Sequence, residues 1–95
     1  MSIHRYAAKR DGNELEIIQG LRAAGCSVQQ LSVKGAPDLL VGIFDPETGA
    51  PTNFLMEVKD KRGKLTPDER EWIDAWQGQV CVVYTVEEAL EVIGR

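Results

Sequence analysis

Ninety-five residues make room for one small domain with a modest core and leave none for a second. An apolar fraction of 43% with 27% charged residues is ordinary for a globular chain. A formal net charge of -4 argues against a protein that grips nucleic acid mainly through bulk positive charge, but not against a local basic patch, because phosphates feel the distribution of charge.

Residues 1–12 read as a loose arm, and His4 within it is no candidate base. MSIHRYAAKR lacks an apolar run of signal-peptide length, and no stretch nears the roughly 18 apolar residues of a membrane span, so a cytoplasmic protein without a membrane partner is expected. The spacing then predicts a helix over residues 13–24. Asn13 is its N-cap, with Glu16 three residues on, and Glu14 and Glu16 suit the first turn. Leu15, Ile18 and Leu21 recur at helical spacing as the inward face, and Gly25 stops the helix. Cys26 and Cys81 stand alone in apolar stretches without metal-ligand spacing and read as reduced core thiols.

A strand follows over 27–31, and Lys34-Gly35-Ala36-Pro37 breaks it. Asp38 then leads Leu39-Leu40-Val41-Gly42-Ile43-Phe44, a strand apolar enough to be buried on both faces. Residues 45–51 are turn material. The strand over 53–59 places Phe54, Met56 and Val58 on one face and Leu55, Glu57 and Lys59 on the other. After a polar loop over 60–64, Thr66-Pro67-Asp68-Glu69 is a helix start, with Thr66 as cap, Pro67 at N1 and Glu69 closing a capping box. That helix runs to about residue 77 with Trp72, Ile73 and Trp76 as its inner stripe. A fourth strand over 80–85 and a last helix opened by Thr85 and ended at Gly94 complete the order α-β-β-β-α-β-α.

Two acids on apolar strands carry the chemistry. An acid and a base side by side on such a strand are costly to hide unless they pair or meet a metal. If the turn over 45–52 makes the two strands neighbours, Asp38 and Glu57 offer oxygen ligands to Mg²⁺ or Mn²⁺, and the Val58 carbonyl sits near the same ion. Such an ion neutralises a scissile phosphate and makes water nucleophilic. Lys59 then offers positive charge to the developing anion, and Glu14 is a possible third acid.

Gly35-Ala36-Pro37-Asp38 with Glu57-Val58-Lys59, in an αβββαβ order, resembles the PD-(D/E)xK nuclease superfamily, and within it the VRR-NUC family in its small stand-alone phage or bacterial form. Lys9-Arg10-Asp11-Gly12-Asn13-Glu14 resembles that family's helix opening, which carries an acidic metal-site residue, and Leu65-Thr66-Pro67 before a helix with Trp72 resembles its following segment. The resemblance implies a restriction-endonuclease-like α/β fold, a mixed central sheet flanked by helices plus a C-terminal helix. It implies a metal-dependent endonuclease acting on branched DNA, such as a Holliday junction or flap, as a homodimer in a bacterial cell or phage-infected host. Many relatives carry glutamine where this chain has Glu69. The capping box explains Glu69 without catalysis, while an acid there would move the local electrostatics and metal preference.

Each functional reading has a plainer rival. Asp38 would merely open a strand after proline. Glu57 and Lys59 would form an edge-strand ion pair, and Glu14 would serve only the helix dipole. Lys61, Arg62 and Lys64 would be a solvated loop rather than a grip on DNA phosphates, and Lys34 likewise. Trp72 and Trp76 read as core or interface rather than as base-stacking platforms. The rival for the whole chain is a non-enzymatic nucleic-acid-binding or assembly module that keeps the fold.

Overall fold

A computed structural model describes residues 12–95; the arm expected over 1–12 lies, but for Gly12, outside the described residues. Helix α1 (Glu14–Ala23) leads to strands β1 (Ser27–Gln30), β2 (Leu39–Phe44) and β3 (Pro51–Val58), then helix α2 (Pro67–Ala75), strand β4 (Cys81–Val83) and helix α3 (Val86–Val92). The strands form one mixed sheet in the order β1-β2-β3-β4. β1 and β3 run antiparallel to β2, and β4 runs parallel to β3. The architecture is mixed α/β, and among the described residues no helix is long and apolar enough to cross a membrane.

The β2–β3 connection is a hairpin, as its turn residues require. Asp45 Oδ1 accepts the N–H groups of Glu47 and Thr48, and Gly49 takes the left-handed φ of 76° that closes the turn. The register that follows, from Phe44 against Pro51 to Leu39 against Met56, brings Asp38 and the end of β3 to the same end of the sheet. One sheet face is the core. Leu39, Val41, Ile43, Met56, Val58 and Val83 pack there with Ile17, Ile18 and Leu21 of α1, with Ala89 of α3 and with Ile93 just past it. Gly20 lets α1 and α3 approach, since a Cβ there would lie 2.5 Å from Val86 Cγ1.

The structure corrects four readings. Leu15 is 63% exposed, and the inward stripe of α1 is Glu14, Ile17, Ile18 and Leu21. That stripe has the i, i+3, i+4, i+7 spacing of an inward helix face but begins on a glutamate, which hydrophobicity alone would never select. Asn13 makes no side-chain cap; its amide is used elsewhere. β2 is buried on one face only: Leu39, Val41 and Ile43 point inward, Leu40 and Gly42 are half-buried, and Phe44 is exposed. Finally, α2 has no buried residue; Trp72 and Ile73 are half-buried, and Trp76 falls just past the helix with 45% of its surface exposed. The two indoles stack on each other, centroids 4.6 Å apart, instead of filling a core. Cys26 is buried, Cys81 half-buried, and both are free thiols, raised above the usual thiol range by burial.

Candidate active site

The candidate site lies where β2 begins and β3 ends. Gly35, with a φ of 82°, turns the chain, buried Pro37 fixes the approach, and the Asp38 carbonyl accepts the Leu31 N–H at 2.7 Å. Asp38 thus enters β2 with its side chain against the last residues of β3, and its Oδ2 accepts the Val58 N–H at 2.8 Å. A strand residue's N–H and C=O leave on the same side, so the Val58 carbonyl shares the edge that Asp38 occupies.

Glu57 is 1% exposed, on the face of β3 opposite the apolar core. Burial, the charges of Asp38 and Glu69, and hydrogen bonds to both push its carboxyl from the usual 4.5 up to about 9. The carboxyl groups of Asp38 and Glu69 therefore both lie against that of Glu57, whose burial favours its neutral form. Lys59 is the cation among them. Its Nζ lies 2.8 Å from Glu69 Oε1 and 3.7 Å from Glu57 Oε2, with only 11% of its side chain exposed. Its N–H donates to the Val83 carbonyl at 3.1 Å, which continues the β3–β4 pairing one step past the strand.

Glu69 completes the capping box that the sequence predicts, and it also reaches Lys59. Its Oε1 accepts the Thr66 N–H at 2.9 Å while its own N–H donates to Thr66 Oγ1, so the capping box is complete. The same Oε1 holds Lys59. Burial alone would raise the Glu69 carboxyl, but the Lys59 ammonium and the Thr66 N–H outweigh it and leave it below its ordinary value.

Glu14 is 3% exposed at the head of α1, and its Oε2 accepts the Gln30 amide at 3.1 Å. Gln30 opposes Leu39, the residue after Asp38, so Glu14 stands at the Asp38 end of the sheet but over β1 rather than β3. Asn13 ties the same end together. Its Nδ2 donates to the carbonyls of Lys59, at 3.1 Å, and Tyr84, at 2.8 Å. Neither Gln30 nor this role of Asn13 was foreseen. The basic residues lie apart from the acids. Lys34 is 75% exposed and pairs with Asp68 at 3.5 Å, and Lys61, Arg62 and Lys64 are exposed on the turn that Asp60 organises.

The donor chemistry fits a hard divalent cation. Asp38 and Glu57 are neighbouring oxygen donors with a backbone carbonyl on their edge, and a cation there would offset the burial and the like charges that push the Glu57 carboxyl up. Among the described residues no group of three or more His, Cys, Asp and Glu side chains is placed to hold a metal ion. No family model, curated protein or solved structure matches the chain.

Proposed function

We propose that this chain is a metal-dependent endodeoxyribonuclease with a restriction-endonuclease-like αβββαβ core of the VRR-NUC type, cutting branched DNA as a cytoplasmic homodimer. The observation that carries the reading is the buried Glu57 carboxyl against Asp38 with Lys59 beside it. Nothing in the apolar packing calls for that cluster, and a purely structural pair would need only one acid.

Asp38, Glu57 and the Val58 carbonyl would hold Mg²⁺ or Mn²⁺, with Glu14 adding negative charge from α1. When bound, the ion supplies charge neutralisation at the phosphate and a water of lowered pKa. Lys59 contributes a nearly dry ammonium, worth more to a developing phosphate anion than an exposed one. Lys61, Arg62 and Lys64, two to five residues beyond it, hold the flanking phosphates. The pairing of Lys34 with Asp68 is exposed on both sides and easily exchanged for a DNA phosphate. The bare faces of Trp76 and Phe44 suit a second copy.

The test is cleavage of labelled four-way junction, flap, single-stranded and linear duplex DNA with Mg²⁺, with Mn²⁺ and with EDTA. Metal-dependent cutting of the branched substrates supports the proposal. Binding without cutting under any metal condition would favour the non-enzymatic module.

A further inference from the structure

A lysine on a flexible four-carbon stem does not stay in one place by itself, and each such side chain loses up to about 2 kcal/mol of rotamer freedom when it is fixed. Here the end of β3 delivers Lys59 to the acids, and contacts at its head fix where the ammonium sits. A fixing contact comes from another element, the first turn of α2, where Glu69 Oε1 sits 2.8 Å from Lys59 Nζ. Glu69 is itself immobilised, because that oxygen also accepts the Thr66 N–H at 2.9 Å and its backbone N–H is bound to Thr66 Oγ1 at 3.2 Å. A glutamate in a capping box has one rotamer that reaches back to the cap, and that rotamer is the one that meets Lys59.

We infer that Glu69 is a positioning residue whose capping-box rotamer pins the Lys59 ammonium over the Asp38–Glu57 pair, so that the helix start of α2 sets the geometry of the catalytic cation. The inference rests on the proposed nuclease reading for its consequence in turnover, but not for the pinning itself. It assigns α2 a task that its burial does not explain, since no residue of that helix is buried. The carboxylate also anchors Lys59 between two acids rather than beside one, which keeps the ammonium from collapsing onto Glu57, now 3.7 Å away.

Two readouts on the full chain test this. The first is the rate at which N-hydroxysuccinimidyl acetate acetylates Lys59, followed by mass spectrometry with Lys61 and Lys64 as internal references. Glu69→Ala should make Lys59 several-fold more reactive. Glu69→Gln, which keeps an acceptor oxygen for both partners, should restore most of the protection. Thr66→Ala removes the other half of the capping box and weakens the helix start, yet keeps the Thr66 N–H, so Lys59 should remain protected. Unchanged Lys59 reactivity in Glu69→Ala, or equal exposure in Thr66→Ala, would overturn the pinning. The second readout is kcat and KM on a cleavable junction. Glu69→Ala should lower kcat about 10²-fold, the scale of a misplaced catalytic group, with KM little changed, and Glu69→Gln should recover part of it. A Glu69→Ala kcat equal to wild type would overturn the positioning role. If the wild type cuts no DNA while Lys59 reactivity behaves as described, the nuclease reading falls and the pinning stands.

Discussion

Asp38 Oδ2 and the Val58 N–H are joined across the β2–β3 pair at 2.8 Å. The bond stands where the ladder ends and replaces a backbone partner for the last N–H of β3. Asp38 is thereby a structural acceptor as well as a candidate ligand, and the two roles separate by substitution. Asp38→Ala should abolish cleavage and also cost about 1–3 kcal/mol, because a partly buried N–H loses its partner. Asp38→Asn keeps an acceptor oxygen and should recover most of the stability but not the activity. Urea denaturation beside a cleavage assay checks both, and an active Asp38→Ala would remove the residue from the site.

Glu57, pushed up by burial and by the charges of Asp38 and Glu69, should set much of the pH dependence of the metal-free protein near neutral pH. Its folded value of about 9 lies above the 4.5 of the unfolded chain, so between those values the folded state holds more protons. Stability then falls as pH rises from about 4.5 to about 9, and levels off beyond. Thermal melting from pH 5 to pH 9 in EDTA should show the decline. Glu57→Gln, a neutral isostere, should flatten it, and a slope equal to wild type in that variant would assign the titration elsewhere.

DNA affinity should depend on the exposed loop rather than on net charge. Replacing Lys61, Arg62 and Lys64 by alanine together removes up to three phosphate contacts, so the slope of log K against log salt should drop by up to about 2.7. Lys34→Ala should change it less, since Lys34 is already shared with Asp68. Fluorescence anisotropy at several salt concentrations reads the slope, and an unchanged value in the triple variant would place the DNA path elsewhere.

Much of this was legible in the chain. The turn chemistry of residues 45–51, the capping box at Thr66, the side-chain cap at Thr85 and the alternation of β3 each name a local structure through a local cause, and the element order follows from them. Asp38, Glu57 and Lys59 stood out because charge on apolar strands is expensive. What was not legible depends on partners distant in sequence. Glu14 is buried because Gln30 and the sheet end receive it, and Asn13 is spent on two carbonyls 46 and 71 residues away instead of on its own helix. Trp72 and Trp76 have helical spacing, but whether an apolar stripe finds a core depends on what lies opposite. Here it is a shallow groove of about 380 Å³ lined by Leu40, Leu55 and Trp76 among others.

That groove and Phe44 lead to an assembly prediction. Light scattering at micromolar concentration should give twice the 10.5 kDa chain mass, and Trp76→Ala should shift the protein toward monomer without unfolding it, because Trp76 is 45% exposed. A wild-type monomer that still makes paired symmetric nicks in a four-way junction would disconnect assembly from activity.

The central claim, that the Asp38–Glu57 pair binds a divalent ion to hydrolyse DNA, is tested most directly by single-turnover cleavage of a labelled four-way junction with Mn²⁺ by wild type and by Glu57→Gln. The substitution preserves the shape and the neutral state of the buried side chain, so the variant should fold as well as wild type. The account predicts cutting by the wild type that EDTA abolishes, and none by Glu57→Gln. Cleavage by the folded variant at the wild-type rate, or by the wild type in EDTA, would contradict it.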